Sequence, residues 1–358
     1  MSSIEKKDMN RRDFMKTSAT AAAATGAVAM GAGEASAKTT DDLDHRNEQT
    51  DKMTYKQLGK TKFMSSRLVF GGGGALIAGK GVRLLERSFQ AGINNYDLGT
   101  NVYYKGAERS FSEFCKRHRD DIWVTSKAMV RADITFRGAD KPTSAGEAAK
   151  YATFWLEKLD ASLKDLGTDY VDAYFLMGVD NPEIVKSEEM GNAFLRAKDA
   201  GKVGYFGIST HANAEACLEA ATDTGWYSLA QIAIAPSGWF NLADAFTAKG
   251  EGKGLPAVAP VLDRARDAGI GLIAMKVALG MAAAPWSGRT DKDETSPKLH
   301  IYDKFFNAPL TAAPMTPFQR AYAHMLTNGL DAVNSDMQNF KHFEENIVAV
   351  NSAEKYHA

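Results

Sequence analysis

Eight short stretches of nearly unbroken apolar character recur along the chain: Arg67–Phe70, Ile93–Leu98, Asp121–Lys127, Val171–Met177, Gly204–Thr210, Leu229–Ala235, Gly269–Val277 and Leu330–Asn334. They lack the strict apolar–polar alternation of a strand with one wet face, so they predict parallel strands buried on both sides. Helical periodicity fills the gaps. Val82–Gln90 sets Val82, Leu85, Ser88 and Phe89 on one side and stops at Ala91–Gly92, a glycine C-cap. Residues 144–166 carry Ala149, Ala152, Phe154, Leu156, Leu159, Leu163 and Leu166 at helical spacing, closed by Gly167. Similar patterns cover 184–200, 213–224, 257–268 and 317–328. A β-then-α unit repeated eight times predicts an α/β protein of the (β/α)8 TIM-barrel class rather than an open doubly wound sheet. The open sheet expects a spaced glycine fingerprint in its first turn. Here that turn is the run Gly71–Gly74 with no third glycine at the required offset. The connections near 128–143, 236–256 and 280–316 are long, and in a barrel they cover the C-terminal face, where substrate is chosen. They carry Trp239, Phe240, Trp286, Phe305 and Phe306, which line an apolar or aromatic pocket or simply pack the loops.

The first residues break this pattern. Asn10–Lys16 sets Arg11 and Arg12 before Phe14 and Lys16; a weakly apolar, alanine-rich run follows from Thr17 to Gly33, then Ala35–Ala37, a small-x-small cleavage site. The three parts resemble a twin-arginine secretory signal, and the apolar run is too short and too small-chained for a spanning helix. Residues 1–37 are therefore expected to be removed, with no stable membrane insertion afterwards. The twin-arginine export machinery is the implied partner and the periplasm the implied location. That route carries folded cargo, often with a cofactor already bound. Residues 38–52 are almost free of apolar side chains and read as a disordered leader. Residues 53–358 contain no Pro/Ser/Gly-rich linker and read as one domain. The formal net charge of −1 and the absence of a Lys/Arg block give no support to a nucleic-acid partner. The two cysteines, Cys115 and Cys217, fall in separate helical stretches and read as small buried apolar residues. No CxxC, CxxCH or HExxH spacing is present, so common zinc and haem sites are unsupported.

Six segments in order resemble the aldo-keto reductase superfamily. Met53–Thr61 is similar to its YRxLGxT entry, Ala91–Asp97 to AGINxxDT, Val124–Lys127 to the third strand ending in lysine, Leu163–Asp172 to SLxxLGTDYxD, Ala200–Ser209 to AGKVRxxGxS, and Glu344–Asn346 to EEN. The resemblance covers residues 53–350 and implies a barrel that moves hydride between a nicotinamide cofactor and a small carbonyl compound. A tyrosine phenol is a poor acid–base group at neutral pH until tuned, and a lysine held by an aspartate is the tuning device. The resemblance gives Asp97 and Lys127 those roles, at the C-terminal ends of the second and third strands. The tyrosine should stand five residues after the aspartate, where this chain has Val102. One inserted residue in Leu98–Asn101 restores Tyr103 as proton donor, and Tyr104 is the second choice.

For the cofactor, the resemblance implies Ser209 and Gln231 on the nicotinamide carboxamide, Met275 where an aromatic often stacks on the ring, and Lys276 and Gly280 around the turn that touches the pyrophosphate. Glu345 and Asn346 fall on the adenine edge. NADP is weakly preferred over NAD: Lys341 attracts a 2′-phosphate, while Asp336 repels one. The departures matter as much. Family members end the fourth strand in histidine, and here Met177 stands there. A thioether has no N–H to give, and losing such a donor costs about 2.7–4 kcal/mol of transition-state stabilisation. Three expectations follow: His211 substitutes as donor, the substrate is an enone rather than a ketone, or catalysis is lost and the barrel is a non-catalytic binding or partner protein.

Overall fold

The computed structural model describes residue 46 and residues 52–129, 145–240, 250–281 and 297–356. The signal segment 1–37, most of the leader 38–52, much of the three long loops and Trp286 lie outside the described residues. Eight parallel strands form the sheet: β3 (Leu68–Gly71), β4 (Asn95–Asp97), β5 (Trp123–Met129), β6 (Val171–Met177), β7 (Val203–Thr210), β8 (Leu229–Ala235), β10 (Gly271–Met275) and β11 (Ala332–Ser335). They run in the order β10-β11-β3-β4-β5-β6-β7-β8, and β8 pairs back onto β10, so the sheet closes; the two-residue β9 (Gly238–Trp239) adds an antiparallel flap to β8. Every predicted strand is present, and the predicted (β/α)8 barrel is the fold.

Helices cover the outside: α1 (Gly72–Ala75), α2 (Arg83–Gln90), α3 (Asn101–Tyr104), α4 (Ala107–His118), α5 (Ala145–Leu166), α6 (Glu188–Asp199), α7 (Ala214–Thr224), α8 (Ala259–Asp267), α9 (Pro317–Thr327) and α10 (Phe340–Ser352). Their ends follow local chemistry. Thr316 and Gln319 form a reciprocal capping box ahead of Pro317, which opens α9 with the fixed φ a first turn needs. Leu163 O accepts from both Gly167 N and Thr168 N, which closes α5 with the glycine stop the sequence predicts. Among the described residues no helix is long and apolar enough to cross a membrane.

The barrel has its own inner core, separate from the larger one between strands and helices. Val69, Trp123, Ala173, Phe175, Leu229, Ile273 and Ala332 project inward and pack with Leu58 and Phe63. The last two come from an antiparallel hairpin, β1 (Tyr55–Gln57) with β2 (Met64–Ser66), that closes the N-terminal end. Phe63 stacks on Trp123 with centroids 4.8 Å apart, and Trp123 stacks on Tyr205 at 5.4 Å. Arg46, from the segment read as disordered, lies over Phe63 and Trp123 at 5.3 and 5.6 Å. Its Nη1 donates to Ile122 O at 2.9 Å and to Asp172 Oδ1 at 2.6 Å. Lys52 is tied as well, its carbonyl accepting from Asn351 Nδ2 at 2.9 Å.

Candidate active site

Asp97 is the last residue of β4, and Lys127 lies two residues before the end of β5, so both side chains arrive at the C-terminal mouth. They are 4% and 2% exposed and form an ion pair between Lys127 Nζ and Asp97 Oδ1. The other carboxylate oxygen accepts two amide donors, Gln231 Nε2 of β8 at 3.1 Å and Asn334 Nδ2 of β11 at 2.5 Å. Four strands thus meet on one carboxylate. A buried ion pair is stable only when its remaining lone pairs are satisfied, and here they are.

The structure sets Tyr104, the second choice from spacing, beside Asp97 and leaves Tyr103 away from it. Tyr103 is 44% exposed and lies outside the cluster, its ring edge-on to Tyr104. The turn α3 rotates successive side chains by about 100°, so only one of the two can face inward. Tyr104 does. A Cβ built on Gly99 would meet its ring at 2.5 Å, and one on Gly73 at 2.8 Å, so glycine at both positions makes room for the phenol. The run Gly71–Gly74 is a contact face: Gly71 abuts Asn334, Gly72 abuts Leu98, Gly73 abuts Tyr104 and Gly74 abuts Asp336. Burial, and then the neighbouring Asp97 carboxylate, push the Tyr104 phenol's pKa upward. The Lys127 charge that was expected to lower it is engaged by Asp97 instead.

The remaining predicted residues ring this centre. Ser209 and Gln231 are neighbours in register across β7 and β8. The Met275 sulfur lies 4.0 Å from Ser209 Oγ and 3.6 Å from Gln231 Nε2. Gln231 Oε1 is buried and unpartnered, an open acceptor for a ligand N–H. Met177 is buried beside Ser209 at the end of β6. Lys276 follows β10 with φ of +64°, a left-handed conformation unusual for a side chain with a Cβ. Burial lowers its amine pKa, with Lys127 adding to that and Asp336 and Asp97 opposing it. His211 follows β7; burial first, then the charges of Lys276 and Lys127, hold its imidazole well below the ordinary range and keep it neutral.

Gly280 is buried in the turn after β10. Asn346 is buried and donates to Ser335 Oγ at 2.8 Å, next to Asn334, whereas the Glu345 carboxylate accepts from the hydroxyl of Thr316, the residue that caps α9. Neither touches the Asp97 centre directly. In the sequence Asn334 is only the last residue of the eighth apolar run, with no local sign of this contact. The run of four glycines is the signal that could have flagged it, since each missing side chain leaves space for an inward neighbour.

Comparison with known proteins bears on the family and the fold. The sequence model of the Aldo/keto reductase family matches residues 69–351. The L-glyceraldehyde 3-phosphate reductase of Escherichia coli K12 is 31% identical over 137 residues, which is 36% of this chain and 36% of that protein. The match therefore spans little more than a third of that curated relative. An aldo-keto reductase from Bacillus halodurans, solved in a holo form, superposes with a TM-score of 0.57 at 19% identity, over 86% of this chain and 97% of that one.

Proposed function

This chain belongs to the aldo/keto reductase family, and on that premise we propose that it transfers hydride between a nicotinamide dinucleotide, NADP before NAD, and a carbonyl or enone compound. The observation that carries the reading is the convergence of Asp97, Lys127 and the Tyr104 phenol at the barrel mouth. A bound reduced nicotinamide supplies the hydride; everything else falls to the chain. Tyr104, protonated at neutral pH, holds the proton for the substrate oxygen. Asp97 fixes the Lys127 ammonium, which faces the negative charge that develops there. Neutral His211 supplies the N–H that Met177 lacks. Gln231 Oε1, with Ser209, fits the carboxamide of a nicotinamide, and Met275 the ring face. The E. coli relative named for an aldehyde phosphate supports an aldehyde as the first substrate to try. The N-terminal signal supports export by the twin-arginine route, with cofactor carried out bound.

A second reading, a non-catalytic barrel that binds a partner, is favoured by Met177 and by Asp336 lying against Gly74. One measurement separates them. Purified mature protein should oxidise NADPH in the presence of glyceraldehyde 3-phosphate or 4-nitrobenzaldehyde, and Lys127→Met should abolish this. No turnover together with no NADPH fluorescence change on titration would leave the second reading standing.

A further inference from the structure

Asp97 is held from both sides, and only one of those holds belongs to the acid–base group already described. Oδ1 pairs with Lys127; Oδ2 takes Gln231 and, at 2.5 Å, Asn334. Asn334 comes from β11, which lies beside β3, two strands from Asp97 on β4 and three from Lys127 on β5 around the ring. Its amide oxygen comes close to the β3 backbone: a Cβ on Gly71 would lie 2.6 Å from Oδ1, so glycine there leaves the room that lets Nδ2 reach the carboxylate. A carboxylate gripped only by a lysine can rotate about its Cβ–Cγ bond and trade oxygens. With Oδ2 pinned by two amides, Oδ1 stays turned to Lys127.

We propose that Asn334 is a positioning residue that clamps Asp97 Oδ2, so that Lys127 stays beside Tyr104 during turnover. The role rests on the oxidoreductase reading, but the clamp itself can be read without turnover. The charged or titratable groups around the cluster are Lys127 on β5, Tyr104 on α3, Lys276 and His211 at the ends of β10 and β7, and Asp336 after β11.

Two variants test it. Asn334→Ala removes the donor; kcat should fall roughly tenfold or more while KM for NADPH and for the aldehyde stays within about twofold. Asn334→Asp keeps the shape but presents an acceptor to an acceptor. Its activity should be lowest at alkaline pH and recover towards acid pH, where the new carboxyl regains a proton to donate, a profile a merely structural side chain does not produce. A loss in kcat below twofold for the alanine variant, or a wild-type-shaped pH profile for the aspartate variant, overturns the clamp.

A double-mutant cycle in thermal unfolding supplies the readout independent of activity. Asn334→Asp alone should lower the midpoint, and adding Asp97→Asn, which exchanges carboxylate and amide across the contact, should recover at least half of the loss. Recovery in a protein with no reductase activity keeps the clamp and ends the oxidoreductase reading. Reductase activity without recovery does the reverse.

Discussion

Two buried aspartates, Asp172 at the closed end of the barrel and Asp97 at its mouth, are held in nearly the same way and do different work. Asp172 opens β6, is fully buried, and takes Arg46 Nη1 at 2.6 Å, Arg119 Nη1 at 3.1 Å and the backbone N–H of Val124 at 2.8 Å. Asp97 takes a lysine and two side-chain amides. The difference is in the donors. Guanidinium groups do not give up protons in proteins, and a peptide N–H does not move, so the lower carboxylate is a structural anchor with nothing to exchange. An amine beside a phenol and a neutral imidazole can exchange protons, and the glycines around Tyr104 leave that phenol room. Satisfaction of a buried charge is therefore common to both ends; the chemistry of the satisfying group decides which end can react.

Exchanging each aspartate for asparagine should separate the two roles, and this is the largest effect expected. Asp172→Asn leaves two arginines without their buried counter-charge and should cost about 3–5 kcal/mol of stability, read as a lowered denaturant midpoint, with the specific activity of the folded fraction kept. Asp97→Asn strands the buried Lys127 ammonium and should lower the midpoint as well, but it should also cut kcat/KM of the folded fraction by roughly a hundredfold or more. Equal losses of specific activity at the two positions would erase the distinction.

Room for the phenol is the next point of attack. Gly99→Ala puts a methyl within 2.5 Å of the Tyr104 ring and 3.4 Å of the Lys127 side chain, so the ring must move. A displacement of about 1 Å can cost on the order of a hundredfold in rate. We expect a loss of tenfold to a hundredfold in kcat with an unchanged circular dichroism spectrum. A Gly-to-Ala change at an exposed helical position, Gly146, where nothing lies within 4 Å, is the control for activity.

The two ends should also differ in acid. His211 at the mouth has a folded-state pKa depressed below its unfolded value, so the unfolded chain binds the proton more readily. Stability from this group is complete above the unfolded value near 6.5 and is lost as pH falls below it. His324 on α9, lowered to about 4 by burial, acts in the same direction between about 6.5 and 4 and forms a common background. In His211→Gln the melting temperature should fall less steeply from pH 7 to pH 5 than in the wild type. A parallel slope would show that the mouth does not titrate separately from the background.

Arg46 sharpens the comparison from below. Arg46→Ala removes one of two guanidinium partners of Asp172 and a cation stacked over Phe63 and Trp123, but Arg119 stays. A stability loss of about 1–2 kcal/mol is expected, with kcat unchanged. That residue also shows where sequence reading stops. The barrel was legible because unbroken apolar runs and helical spacing record burial directly. Asp97 and Lys127 were legible because strand ends were. The sealing hairpin was not, since Tyr55–Gln57 and Met64–Ser66 are three-residue strands without an apolar run, and Arg46 sits in a polar stretch that carries no burial signal. Asn334 was not legible, because a contact between β11 and β4 depends on closure of the sheet, which no local pattern encodes.

The smallest expected effect is at Tyr103, and it tests the register of the site more sharply than any loss. Spacing alone favours Tyr103 over Tyr104, because one inserted residue restores it. The turn Asn101–Tyr104 decides otherwise: Tyr103 points outward while Tyr104 fills the space left by Gly73 and Gly99. A half-exposed phenol can leave without creating a cavity or stranding a buried partner, so Tyr103→Phe should change kcat/KM by less than about twofold and stability by less than about 0.5 kcal/mol. Tyr104→Phe removes the phenol that, among the described residues, faces Asp97 and should lower kcat by at least about a hundredfold while leaving NADPH affinity intact. If the two results exchange places, the loop from Leu98 to Tyr104 adopts a different turn during turnover, and the proton at the mouth belongs to the outer phenol.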